Sequence, residues 1–183
     1  MVASRLQNPT GWDERVTRWV MGQWHRRPTL DATAIVMARW TPIAMVALIV
    51  LVSTGFAMPP ASHQLVLEAG LQAVAAAVLG RTANEFISRV VKRPRPFEFM
   101  GMAPLLTHDH GGSFPSNHAT GAFALALGMA SVPGVFEILL VLAVLLSLSR
   151  IYTGLHHTSD VVAGALHGAA AAWIIAAIAT FIR

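Results

Sequence analysis

Five apolar stretches, each near the length needed to cross a bilayer, dominate this chain of 183 residues. They run about Ala34–Met58, His63–Val91, Ser116–Val132, Gly134–Ile151 and Asp160–Ile182, with Pro59-Pro60 and Pro133-Gly134 as breaks. A transmembrane helix needs roughly 20 largely apolar residues. In hydrocarbon every backbone polar group must be satisfied internally, which leaves helices as the solution for such segments. The prediction is therefore an all-α integral-membrane protein, a bundle of about five transmembrane helices in a single domain spanning 1–183. The composition agrees: 55% of residues are hydrophobic and 12% charged, against about a quarter charged in a soluble domain. With no cysteine, disulfides and thiol chemistry are excluded. The first 30 residues are too polar for the apolar region of a signal peptide.

Residues 12–27 carry Trp12, Val16, Trp19, Val20 and Trp24 at helical spacing, with Arg15, Arg18, Arg26 and Arg27 between them. This predicts an amphipathic helix in the membrane interface, a reading compatible with the same helix packing on the rest of the protein. Five spans also fix a parity: the N-terminus and the 92–115 and 150–159 loops share one membrane face. Gly164 and Gly168, and Gly121, Ala124 and Gly128, are small residues at the spacing that lets membrane helices approach closely.

The polar residues that interrupt the apolar runs collect into three blocks on that shared face: Arg93-Pro94-Arg95-Pro96-Phe97, Phe114-Pro115-Ser116-Asn117-His118, and Ser149-Arg150 followed by His156 and Asp160. Ionisable residues at membrane depth are costly and mark functional sites. In the third block, Arg150 offers a planar fork suited to a phosphoryl group. His156 is a candidate nucleophile toward phosphorus, and Asp160, a helical turn away, is the candidate partner for its ring. Thr158 or Ser159 can cap the helix that Asp160 enters. In the second block, Ser116 and the amides of Asn117 and His118 open a helix whose free N–H groups suit an anion. His118 is placed to protonate a leaving oxygen; a lone Pro-Ser-x-His would be only a capped helix start. In the first block, alternating prolines stiffen an extended segment. Arg95 is assigned to phosphate, with Lys92 and Arg93 toward headgroups or a second phosphate. The basic residues thus suit membrane headgroups and an anionic substrate, not nucleic acid.

Other polar positions are weaker. Glu85 and Arg89 are spaced as a helical ion pair, and Arg39 can snorkel to the surface. Asn84 is positioned to order Arg95. His108-Asp109-His110 lacks a fourth ligand at suitable spacing and reads as loop or substrate contact, not metal. His167 and Glu68 lie within spans as satisfied buried polar groups. The segment from Arg81 to Lys92 projects into the interface, because its helix is longer than the hydrocarbon is thick.

Taken together, the blocks resemble the type 2 phosphatidic acid phosphatase superfamily of integral-membrane lipid phosphatases. Its pattern is Lys-x6-Arg-Pro, then Pro-Ser-x-His, then Ser-Arg-x5-His-x3-Asp. The third block matches at every defined position and the second has Asn117 at its variable site. The first keeps Arg95-Pro96 but has Ser88 where the family has lysine, with Arg89 or Lys92 as substitutes. Arg-Pro-Phe at 95–97, the run from Ser113 to His118, and the short five-span body resemble the bacitracin-resistance type of undecaprenyl-diphosphatase most, a branch that often lacks that lysine. Many members of the superfamily have six helices, the first here missing or replaced by residues 12–27.

The resemblance implies Arg95 and Arg150 as phosphate clamps, Ser116 and Asn117 as donors, His118 as acid, His156 as nucleophile and Asp160 as its partner, with no metal and no cofactor. The expected function is hydrolysis of undecaprenyl diphosphate to the monophosphate through a phosphohistidine. Alternatives are the same chemistry on phosphatidylglycerophosphate or phosphatidic acid and, in another class, a non-catalytic anionic-lipid binder or transporter. The branch implies a bacterial inner membrane with an outward-facing, periplasmic site. The arginines before the first span point the other way under the positive-inside rule, although an interfacial helix and a phosphate site need arginines for their own reasons.

Overall fold

The structure, a computed structural model, describes residues 11–55, 62–107 and 111–182. Seven helices follow in order: α1 (Trp12–Met21), α2 (Pro28–Ser53), α3 (His63–Val91), α4 (Pro96–Met100), α5 (Asn117–Gly128), α6 (Val135–Tyr152) and α7 (Thr158–Ile182). Among the described residues there is no strand. By length and composition α2, the α3 segment, α6 and α7 can cross a membrane, and the chain is a membrane protein.

The third expected span differs. Helix α5 has 12 residues, about 18 Å at 1.5 Å per residue, too short for a hydrocarbon core of about 30 Å. It lies inside the bundle, with Ala119, Ala122, Ala124, Leu125 and Ala126 buried against α3, α6 and α7. The sequence hid this because an apolar helix surrounded by protein and one surrounded by lipid have the same composition.

Small residues set the spacing around α5. A Cβ built on Gly164 would lie 2.5 Å from the Ser116 carbonyl oxygen, and one on Gly168 would lie 2.3 Å from that of Thr120. Helices α5 and α7 therefore touch backbone to backbone, and Gly128 meets Ala73 of α3 in the same way. Gly121 behaves otherwise, with nothing within 4 Å of its would-be Cβ; it borders a cavity.

Helix α1 ends at Met21, short of the expected 27, with residues 22–26 in turns. Trp12, Val16 and Trp19 face outward, at 54%, 38% and 69% exposure. Asp13, Thr17 and Met21 form the opposite, buried face. After α1 the chain turns through His25, whose N–H donates to Asp31 at 2.9 Å. Trp24 is buried, donates to the Tyr152 carbonyl at 2.7 Å and covers Gly154. Gly154 has φ +72, a left-handed turn that glycine adopts without strain. That turn carries the chain from α6 into the loop bearing His156.

Candidate active site

The three polar blocks meet in space, although α5 is shorter than the span on which the five-span parity was counted. The Ser116 N–H donates to the Asp160 carbonyl at 3.0 Å, tying the start of α5 to the start of α7. Arg95 donates through Nη1 to the Leu155 carbonyl at 2.8 Å and through Nε and Nη2 to Gly111 and Gly112. Its guanidinium thereby joins the first block to the segment before α5 and to the loop before α7.

His156 sits at the centre, 3% exposed. Its Nδ1 lies 2.8 Å from the Ser113 carbonyl oxygen. A carbonyl only accepts, so Nδ1 must carry the proton and Nε2 is left with its lone pair. Nε2 lies 3.5 Å from Arg95 Nη1. Burial first, then the charges of Arg150 and Arg95, hold the His156 pKa well below that of an ordinary histidine, and His118 adds to the effect. The ring is therefore neutral near pH 7, the state a nitrogen nucleophile needs.

Arg150 is 2% exposed. Its Nε and Nη2 are buried with no hydrogen-bond partner among the described residues. A buried guanidinium whose donors find no protein acceptor suits a doubly charged oxyanion, which fills the fork bidentately. At the start of α5, Ser116 Oγ accepts the Ala119 N–H and the Ser116 carbonyl accepts the Thr120 N–H. The N–H groups of Asn117 and His118 form the first turn of the helix, where anions are favoured. Asn117 is oriented by Asn84, whose amide donates to its Oδ1 at 3.0 Å and to Thr120 Oγ1 at 2.7 Å. His167 Nδ1 lies 2.7 Å from Asn84 Oδ1. Asn84 thus orders Asn117, not Arg95 as its sequence position suggested.

Two further assignments change. Asp160 does not bond the His156 ring; the Ser113 carbonyl does. The Asp160 carboxylate instead accepts from Arg93 Nη1 at 2.6 Å and from the His157 N–H at 2.7 Å. Asp160, the third residue of α7, reaches back to the N–H of the residue just before the helix, as the N3 side chain of a capping box does, and also draws in Arg93. Its hold on His156 runs through the adjoining His157 backbone. Arg93 is accordingly an ion-pair residue and not a headgroup contact. Lys92 caps α3 with φ 45 and is exposed, apart from the converging groups. Glu85 and Arg89 form the expected pair at 3.2 Å on an exposed surface. Residues 108–110 lie outside the described residues.

Sequence reasoning missed α1's part in this site. Asp13 accepts from Arg93 Nη2 at 2.8 Å, from the Ser159 N–H at 3.1 Å and from Ser159 Oγ. Burial raises the Asp13 pKa, but the bonds from Ser159 and Arg93 outweigh it and hold the carboxyl below its ordinary value. Thr17 Oγ1 lies 3.3 Å from His157 Nδ1. Burial, with Arg93 nearby, lowers the His157 pKa to about 4. The available signal was an acid and a threonine four residues apart on an otherwise basic and aromatic helix.

Beside the site, a cavity of about 360 Å³ opens between α2 and α3, with apolar walls. Asn117 and His118 line its inner end, and Val46, Val74 and Val78 its outer edges. Those valines are exposed on helices that can cross the membrane, so the opening faces lipid.

A helical membrane bundle that gathers two buried arginines, a neutral histidine and a helix N-terminus beside a lipid-facing cavity has the architecture of an integral-membrane phosphatase. The chain belongs to the PAP2 superfamily, whose profile matches residues 69–183. It is 32% identical over 143 residues to the undecaprenyl-diphosphatase BcrC of Bacillus subtilis, covering 78% of this chain and 71% of that protein. It is 36% identical over 105 residues to the decaprenylphosphoryl-5-phosphoribose phosphatase of Mycobacterium tuberculosis, covering 57% of this chain and 58% of that protein. The fold matches the crystal structure of a transmembrane PAP2-type phosphatidylglycerolphosphate phosphatase from Bacillus subtilis, with a TM-score of 0.72 at 22% identity over 100% of this chain and 92% of the other.

Proposed function

We propose that this membrane lipid phosphatase hydrolyses a polyprenyl diphosphate, such as undecaprenyl diphosphate, to the lipid monophosphate and inorganic phosphate. One observation carries the chemistry: the bond from His156 Nδ1–H to the Ser113 carbonyl leaves Nε2 unprotonated beside Arg95. Nε2 attacks the terminal phosphorus. The bond from phosphorus to the bridging oxygen breaks, and its electron pair leaves with the lipid phosphate, protonated by His118. Water then attacks the phosphohistidine, giving its proton to His118 and releasing orthophosphate and the free ring. Arg150 and Arg95 hold the equatorial oxygens, with the N–H groups of Asn117 and His118 and the Ser116 hydroxyl as further donors. The apolar cavity takes the first part of the tail. Asp160, through Arg93 and the His157 backbone, keeps the loop in place.

The polyprenyl choice is supported by the identity to BcrC over most of both chains. We place the protein in a bacterial cell membrane with its site facing outward; labelling Trp12→Cys on intact cells with an impermeant reagent tests that orientation. The function is tested by phosphate release from undecaprenyl diphosphate and from phosphatidic acid, with chelator present, for the wild type and His156→Ala. The proposal requires faster release from the diphosphate and none from the variant. Preferred turnover of phosphatidic acid would overturn the substrate, and an active variant the nucleophile.

A further inference from the structure

Arg81 takes no part in the mechanism above. It lies ten residues before the end of α3 at Val91, about 15 Å of helix, within an apolar segment long enough to span the membrane. Its side chain lines the same cavity as His118 and Asn117. Among the described residues no carboxylate pairs with it. Arg81 is exposed and stands where α3 runs toward the interface, and a cation that lines a cavity there calls for a counter-charge.

The position of His118 restricts what that counter-charge can be. In the proposed reaction His118 protonates the oxygen that leaves phosphorus. The atom on the far side of that oxygen must then lie on the cavity side of His118. In a lipid monophosphate that atom is a tail carbon, and an arginine beside it has nothing to bind. In a lipid diphosphate it is the second phosphorus, whose two non-bridging oxygens share a negative charge. A guanidinium fork matches such a group.

We infer that Arg81 binds the tail-side phosphate of a lipid diphosphate and so selects diphosphates over monophosphates. The inference rests on the phosphatase reading and deepens it. When the bridging bond breaks, its electron pair stays on the departing lipid phosphate. The His118 proton caps that oxygen, and Arg81 offsets the charge on the other two. The terminal phosphate meets a different set of groups, Arg150 and Arg95, so the two phosphates are read separately.

The test uses the purified full chain in detergent, with farnesyl diphosphate and farnesyl phosphate as substrates of identical tail, and orthovanadate as an inhibitor occupying only the terminal-phosphate cradle. Loss of a charge-assisted contact is expected to lower kcat/KM on farnesyl diphosphate about tenfold or more in Arg81→Ala. The vanadate inhibition constant is expected to stay within about threefold, with Arg81→Lys restoring part of the rate because it keeps the charge but not the fork. Arg39→Ala, which removes an exposed arginine of α2 outside the cavity, controls for loss of a membrane-anchoring cation and is expected to match the wild type. Parallel loss of vanadate inhibition in Arg81→Ala would assign Arg81 a structural role and overturn the inference, as would an unchanged kcat/KM. A wild type that hydrolyses farnesyl phosphate but not the diphosphate also overturns it while leaving the phosphatase reading intact. A wild type releasing phosphate from neither lipid removes that reading, and this inference with it.

Discussion

Replacing Gly164 with alanine tests whether the active site depends on the contact between α5 and α7. The added Cβ would lie 2.5 Å from the Ser116 carbonyl oxygen, 3.1 Å from Ala119 Cβ and 3.2 Å from Thr120 Oγ1. Ordinary contact begins near 3.4 Å, so the backbones must separate by about 0.9 Å. No flexible side chain can absorb the shift, because the nearest atom is main chain. Overpacking of this kind costs about 1–3 kcal/mol. The functional effect is larger, because Ser116 begins the turn that holds Asn117 and His118, while Gly164 sits one turn after Asp160. A displacement of about 1 Å between catalytic groups can lower turnover about 100-fold. Phosphate release and thermal unfolding of the purified variant are the measurements. Gly121→Ala is the matched control, with open space around its added methyl, and is expected to melt like the wild type. If Gly164→Ala keeps both the wild-type rate and the wild-type melting temperature, the site does not depend on this helix contact.

The remaining expectations concern the polar network. Asp13→Ala removes the acceptor for Arg93 and Ser159; it is expected to destabilise the protein by about 1–3 kcal/mol, read by thermal unfolding, and to expose the α1–α2 connection to protease. Arg150→Lys is expected to lower kcat/KM about 10- to 100-fold in phosphate release, since an ammonium cannot reproduce a bidentate fork. The acid limb of a kcat/KM–pH profile reports the free-enzyme nucleophile. Because the His156 pKa is depressed, that limb is expected below pH 6.5, and a limb at or above it contradicts the buried, neutral ring. His157 contributes to stability with the same sign. Its pKa falls from 6.5 to about 4 on folding, so the unfolded chain binds the extra proton. Stability is then fully present above pH 6.5 and is lost as pH falls toward 4, which a melting series measures.

The sequence by itself determined the helical membrane architecture, because apolar run length answers directly to bilayer thickness. It also singled out the candidate side chains on which the proposed chemistry rests. Arg95, Ser116, Asn117, His118, Arg150, His156 and Asp160 stand out as polar groups at the ends of apolar helices. Tertiary structure decided which groups bond to one another. The spacing of His156 and Asp160 suggested a direct bond, yet Ser113, 43 residues away along the chain, holds the ring. Asp160 turned to Arg93, and Arg93 to Asp13 on a helix whose sequence speaks mainly of the membrane surface. Helix α5 shows the same division, since its composition reads as a span and only its surroundings make it an internal helix. A local pattern fixes how a residue's backbone runs and which way it can face, but a hydrogen bond is settled by competition among every donor and acceptor the fold brings within 3 Å.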